Sequence, residues 1–133
     1  MTPSPDWKPR SYPVTRADLR AYAEASGDHN PIHQDEAVAR SVGLPGVIAH
    51  GMYTLALAAR YLDEELGETG RVAQIGAKFT RPVVVPEEGT ELVVSGQARD
   101  DGVVLLTVTC QGEKVLGAAS AVLRVGREGS ASF

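Results

Sequence analysis

The chain of 133 residues lacks the features that mark several specialised classes of protein. It has one cysteine, Cys110, so no disulfide can form within the chain, which suits a reducing compartment. It has no cluster of Lys or Arg, and its formal net charge of −4 argues against a nucleic-acid partner. No apolar run reaches the roughly 18 residues that a membrane span needs, so we expect no membrane partner.

The beginning of the chain has neither a basic segment nor an apolar one, so we expect no signal peptide. With 43% hydrophobic and 23% charged residues, the composition is that of an ordinary globular domain. We therefore expect a cytoplasmic, single-domain protein. Residues 1–11 are predicted to be an extended or disordered lead-in, 12–125 the folded domain, and 126–133 a flexible tail.

Three helices are predicted in the first half of the chain. Thr15 and Asp18 form a capping-box pattern before a helix that should end at Gly27. Residues 35–42 predict a shorter helix, and Pro31 keeps the segment before it non-helical. The third helix starts at Gly51 and is apolar almost all round, so we expect protein to enclose it. One apolar stripe consists of Met52, Leu55, Ala56, Ala59 and Leu62, and Leu57 and Ala58 lie off it.

The second half predicts strands rich in β-branched residues at 71–80, 91–99, 103–110 and 114–125, and the last three are expected to form an antiparallel meander. Asp101-Gly102 and Gln111-Gly112 are two-residue hairpin signals. Residues 11–14 could add a short edge strand, where Pro13 is tolerated. The predicted fold class is α+β, with a long helix packed on a curved antiparallel sheet.

Two loop residues, Asp28 and His33, could share a water molecule and pass protons near neutral pH, which addition or elimination of water requires. Asp28 could equally cap a turn, and His33 could be a surface residue at the start of the next helix. The histidines could also be metal ligands with Asp28, but Pro31 spoils the helical spacing of His29 and His33. Cys110 fits a small core residue better than a nucleophile.

Gly51 follows His50 at the predicted start of the third helix, where N–H groups have no partner within the helix. Because glycine has no side chain, a carbonyl oxygen could approach its N–H closely and be polarised. The alternative is that Gly51 only lets the helix enter a crowded core.

Three blocks of sequence resemble the MaoC-like (R)-specific enoyl hydratases. They are Ala25-Ser26-Gly27-Asp28-His29-Asn30-Pro31-Ile32-His33, then Ile48-Ala49-His50-Gly51-Met52, then Phe79-Thr80-Arg81-Pro82-Val83. The similarity covers residues 12–125 and extends to the single-hotdog (3R)-hydroxyacyl-ACP dehydratase subunits of the HadB kind. It implies a hotdog fold, in which a curved antiparallel sheet wraps a long central α-helix.

The resemblance also implies an activity and its residues. Asp28 and His33 would handle water and the transferred proton, and the Gly51 N–H would hold the thioester carbonyl. Asn30 and His50 would support the site, without a metal or cofactor. The reaction would be reversible syn addition of water to an enoyl thioester of CoA or acyl-carrier protein, in fatty-acid or polyketide-type metabolism. The sequence leaves open which of Asp28 and His33 is the base.

The resemblance implies pairing of two hotdog domains, as a homodimer or with another hotdog subunit. Two other functions stay open. A hotdog acyl-thioesterase would place a carboxylate on the central helix, which here has no acid before Asp63. The chain could instead be a partner or acyl-binding subunit of a hetero-oligomeric dehydratase. Ala59 departs from the family, because some hydratases carry a hydroxyl residue there.

Overall fold

The computed structural model describes residues 6–124. Residues 1–5 and the predicted tail at 126–133 therefore lie outside the described residues. Three α-helices are present in this part of the chain: α1 (Arg16–Ser26), α2 (Glu36–Ser41) and α3 (Gly51–Leu66). Its strands are β1 (Asp6–Val14), β2 (Val72–Phe79), β3 (Thr90–Ala98), β4 (Val103–Cys110), β5 (Glu113–Lys114) and β6 (Leu116–Leu123).

The strands form one antiparallel sheet in the order β1-β3-β4-β6-β2, with β5 pairing to β4. Alternate residues of β4 point into the core, as the period-2 pattern predicts; they are Val104, Leu106, Val108 and Cys110. These residues share one buried cluster with Leu57, Tyr61 and Leu62 of α3. The sheet therefore packs around α3 in the predicted hotdog arrangement.

The edge strand β1 is longer than expected. It starts at Asp6 rather than at Ser11, so residues 6–11, predicted as a lead-in, pair with β3. Pro13 is tolerated because β1 is an edge strand. The buried Tyr61 hydroxyl donates to the Lys8 carbonyl oxygen at 2.8 Å, and the Trp7 ring lies 6.1 Å from the Tyr61 ring. These contacts with α3 connect the extra residues to the core.

One of the two predicted hairpins has a different loop. The Arg99 N–H donates to the Val103 carbonyl, so residues 100–102 form a three-residue loop with Gly102 at a φ of 82°. The second hairpin is as predicted, with Cys110 paired to Glu113 and Gln111-Gly112 between them. The strand predicted at 114–125 is split into β5 and β6 at Val115.

The described chain buries one face of α3 rather than the whole helix. The buried residues of α3 are Thr54, Leu57, Ala58, Tyr61 and Leu62. Met52 is 59% exposed and Ala56 is also exposed, so the described chain does not enclose α3 on every side. The apolar stripe and the buried set have the same i, i+3, i+4 spacing, and the buried set includes the polar Thr54, so periodicity alone could not choose between them. Among residues 6–124, no helix has the length and apolar content needed to cross a membrane.

Candidate active site

Short-range polar contacts shape the loop that carries Asp28. The predicted capping box of α1 is present, and its C-cap Gly27 has a φ of 80°. Asp28 Oδ1 accepts from the Asn30 N–H at 3.2 Å, while Asn30 Oδ1 accepts from the Ile32 N–H at 3.2 Å. Asn30 thereby caps a 3₁₀ helix at Pro31–His33. The loop leaves Asp28 exposed and turns His33 into the protein.

His33 is buried and has a defined tautomer. Its Nδ1 lies 2.7 Å from the Ile48 carbonyl oxygen. A carbonyl can only accept, so Nδ1 carries the proton and Nε2 keeps a lone pair when the ring is neutral. Burial lowers the pKa of His33 below its ordinary value of 6.5, and the nearby His50 adds to this. The bond to Ile48 and the charge of Asp28 oppose the shift without reversing it.

His50 packs directly on His33. The two rings are stacked, with centroids 3.8 Å apart and planes 22° apart. His50 Nε2 donates to the backbone oxygen of Asp28 at 3.0 Å, and its Nδ1 is buried with no hydrogen-bond partner among the described residues. The edge of Tyr22 contacts the same ring at a centroid distance of 4.8 Å. His50 therefore links the position of His33 to that of the Asp28 loop.

Asp28, His33 and His50 form one cluster, in which the carboxylate oxygen and ring nitrogens lie within 4.8 Å of one another. Each hydrogen bond to a water takes up about 2.8 Å, so one water fits between such atoms. These atom types are also those of a metal site. However, nearly parallel stacked rings place their lone pairs in separate planes, which fits poorly with convergence on one ion. His29, the other histidine considered as a ligand, is exposed and is not part of the cluster.

A pocket of about 300 Å³ brings His33 and Gly51 together. Its wall also includes Thr54, Phe79, Arg81 and Val83. None of the described residues accepts a hydrogen bond from the Gly51 N–H, which begins α3. A methyl group at Gly51 would lie 3.0 to 3.2 Å from atoms of the Phe79 ring. A side chain there would compete with Phe79 for this space, so glycine keeps the helix start accessible.

Glu36 anchors the turn that leads to Gly51. Its carboxylate accepts from the Val47 N–H at 3.1 Å and from Arg16 at 3.0 Å. A Cβ at Gly46 would lie 2.9 Å from the same carboxylate oxygen, so the contact needs glycine. The Ala49 N–H donates to the Val83 carbonyl at 2.9 Å. These bonds hold the segment whose Ile48 carbonyl orients His33.

The predicted site residues thus lie in two neighbouring parts of the structure, a cluster of side chains and a pocket. Asp28, His33 and His50 form the cluster, Asn30 fixes the loop, and Gly51 shares the pocket with His33. Sequence reasoning missed three contributors: the Glu36 anchor, the Phe79 contact and the buried hydroxyl of Thr54. A threonine three residues after Gly51 was the available signal in the sequence, since positions i and i+3 share a helix face. Cys110 is buried in the sheet core and is not part of the pocket wall.

Residues 3–113 match the MaoC like domain family. The match covers most of the chain, and the chain belongs to this family.

Two relatives illustrate the similarity. The chain is 35% identical over 100 residues to 3-hydroxyacyl-thioester dehydratase X of Mycobacterium tuberculosis. The aligned region covers 71% of this chain and 35% of the relative. A solved structure described as a MaoC-like dehydratase superposes with a TM-score of 0.89 at 30% identity, covering 95% of this chain and 41% of that one. This chain thus spans less than half the length of either relative.

A third similarity concerns the fold alone. The (R)-hydratase from A. caviae involved in PHA biosynthesis superposes with a TM-score of 0.77 at 24% identity. The superposition covers 95% of this chain and 98% of that one. The hotdog fold predicted from the sequence is thereby confirmed.

Proposed function

We propose that the protein is an (R)-specific enoyl-thioester hydratase, or in the reverse direction a (3R)-3-hydroxyacyl-thioester dehydratase. The observation that carries this proposal is the cluster of Asp28 and His33 beside a pocket with a free helix N-terminus at Gly51. Membership of the MaoC like domain family and the likeness to a 3-hydroxyacyl-thioester dehydratase support it.

In the hydration direction, His33 is the base. Its lowered pKa and its proton on Nδ1 leave Nε2 ready to take a proton from water. The water oxygen then bonds to C3 of the trans-2-enoyl thioester, and the proton taken up by His33 Nε2 passes to C2, which returns His33 to its neutral form. Asp28 orients the water through its carboxylate. Because Asp28 and His33 act from one side of the substrate, the elements of water add with syn geometry.

Gly51 supplies the electrophilic contact. Attack at C3 moves electron density through C2 to the thioester oxygen, which gains enolate character. The Gly51 N–H, at the positive end of the α3 dipole, donates to that oxygen. Asn30 and His50 support the site by holding the Asp28 loop. No step in this scheme requires a metal or a cofactor, and the substrate is a thioester of CoA or acyl-carrier protein.

The hydratase proposal is tested with purified protein and a short trans-2-enoyl-CoA, following the loss of enoyl absorbance. Asp28→Asn and His33→Ala should each lower kcat/KM by about 100-fold or more, the scale of general acid–base catalysis. His29→Ala is the matched control, because His29 is exposed in the same loop but outside the cluster. Full activity in both Asp28 and His33 variants would refute the site.

A thioesterase is the competing enzyme, and α3 argues against it. Its first acidic residue, Asp63, lies about 18 Å along the helix axis from Gly51. Such a carboxylate is too far away to act on a carbonyl held at Gly51. Release of free thiol from an acyl-CoA without hydration would favour the thioesterase instead.

The proposal includes pairing with a second hotdog domain through β2. Within residues 6–124, β2 pairs with β6 on one side and with no strand on the other. Beside this open edge, Met52 and Phe79 are 59% and 55% exposed. An open edge next to apolar side chains is suited to another copy of this fold. Pairing with a different hotdog subunit would be seen as activity that needs a co-expressed partner.

A further inference from the structure

Thr54 places a hydroxyl in the wall of the site pocket. The residue is 2% exposed, and it lines the pocket together with His33 and Gly51. The other four buried residues of α3 (Leu57, Ala58, Tyr61 and Leu62) belong to the hydrophobic cluster inside the sheet. Thr54 is therefore the buried residue of α3 that faces the pocket.

Among the described residues, the Thr54 hydroxyl makes no hydrogen bond, and its oxygen is not one of the fully buried unpartnered atoms, so it can be reached from the pocket. A helical threonine ordinarily uses the backbone carbonyl four residues earlier, which here is that of His50. That carbonyl already accepts from the N–H groups of Tyr53 and Thr54, at 3.1 and 3.2 Å. The hydroxyl is therefore available to donate to a ligand in the pocket.

Helix geometry directs this hydroxyl towards Gly51. Side chains on an α-helix tilt towards its N-terminus, and residues three apart lie on one face. The Thr54 side chain thus lies over the turn that begins at Gly51, whose N–H also has no described acceptor. Gly51 and Thr54, each with a donor that has no described acceptor, therefore line the same pocket.

We propose that the Thr54 hydroxyl is a second donor to the thioester carbonyl oxygen, beside the Gly51 N–H. This inference rests on the proposed hydratase function. A carbonyl oxygen has two lone pairs and can accept both bonds at once. As water adds at C3, negative charge grows on this oxygen and both bonds strengthen. Thr54 keeps its proton throughout, so the hydroxyl stabilises charge and transfers nothing.

The kinetic test compares Thr54→Val with Thr54→Ser on a short trans-2-enoyl-CoA. Valine keeps the shape and removes the donor, so kcat should fall by about 100-fold while KM changes little, as for loss of one oxyanion donor. Serine keeps the donor and should recover most of kcat. Thr107→Val is the control, because Thr107 is a threonine of β4 that is not part of the pocket wall. Equal kcat in the Val and Ser variants would overturn the proposal.

A spectroscopic test measures how strongly the protein polarises the thioester carbonyl. The probe is a 2,4-dienoyl-CoA, whose absorbance moves to longer wavelength as its carbonyl is polarised, bound to an Asp28→Asn variant. Adding Thr54→Val should reduce this shift, and Thr54→Ser should restore it. An unchanged shift, with only the pH profile of activity altered, would place the hydroxyl with His50 and refute the carbonyl contact.

Failure of this inference is distinguishable from failure of the proposed function. A parent enzyme that hydrates no enoyl thioester refutes the hydratase itself. A parent that hydrates enoyl-CoA while Thr54→Val matches it refutes only the second donor. Thermal unfolding of each variant checks that the fold is retained.

Discussion

The proton on His33 is placed by a backbone carbonyl rather than by a carboxylate. Because the Ile48 carbonyl accepts a hydrogen bond from the Nδ1–H group, the free lone pair stays on Nε2 at any pH where the ring is neutral. Burial and the neighbouring His50 keep the ring neutral over a wider pH range than in water. The contact partner, Ile48, is fifteen positions away in the sequence, so no local motif in the Asp28–His33 loop indicates this tautomer.

The pH dependence of activity follows from this environment. A base acts in its neutral form, which is present above its pKa, and the pKa of His33 is lowered from 6.5. The acidic limb of kcat/KM for enoyl-CoA hydration should therefore lie below pH 6.5. Rates measured from pH 4 to 8 would test this. A limb above 6.5 would mean that His33 is not the base or is charged in the free enzyme.

His50 should act by positioning. Its ring stacks on His33 and its Nε2 donates to the Asp28 backbone. His50→Ala removes both contacts and should lower kcat by about tenfold or more, as expected when reacting groups are misplaced. His50→Gln can retain the donor and should lose less. If the Ala and Gln variants are equally impaired, the stack rather than the bond to Asp28 carries the effect.

At the scale of secondary structure, capping residues predicted where helices begin and end, whereas the sequence pattern did not predict which face of a helix is buried. Thr15, Asp18 and Gly27 fixed both ends of α1, because capping depends on residues within one turn. The apolar pattern of α3 did not indicate which face is buried, because that depends on which side of the helix the sheet contacts. The N-terminal half of β1 was missed for a similar reason: its pairing with β3 and its bond from Tyr61 are long-range contacts.

The start of α3 yields a test of the Gly51 contact. In Gly51→Ala the new methyl lies close to the Phe79 ring, which can shift because it is 55% exposed. The fold should survive, whereas kcat should fall by up to about 100-fold as the carbonyl is displaced from the N–H. Adding Phe79→Ala makes room for the methyl and should relieve any loss of stability. Full activity in Gly51→Ala would show that no carbonyl approaches this N–H.

On the scale of the whole molecule, the site is assembled from segments that only the fold brings together. The resemblance identified Asp28, His33, Gly51, Asn30 and His50, and all lie in or beside one cluster and pocket. Their chemical roles stay predictions. The stacking of His33 on His50 and the anchor at Glu36 were not foreseen, since both depend on how the turn before α3 packs against the loop after α1.

If two chains pair through the β2 edge, a charge placed on the apolar side chains beside that edge should separate them. The native mass of the protein should then fall. Met52→Glu places a charge on a side chain that is 59% exposed, and native mass measurement should then show the single chain. Leu105→Glu is the control, because Leu105 is 41% exposed on β4, away from that edge, and its variant should keep the parent's mass. The pairing proposal fails if the parent itself is a single chain, or if Met52→Glu leaves a larger parent unchanged.

The two outer strands of the sheet differ in their capacity for further growth. The outer strand β1 contains Pro9 and Pro13, and proline has no N–H to offer to an incoming strand. The outer strand β2 contains no proline. Two copies joined at β2 would therefore carry a proline-bearing strand at each end of the combined sheet. In such an assembly both proline-free edge strands are already paired with each other. No such edge remains for a further copy, so the assembly stops at two chains and does not extend into a fibre.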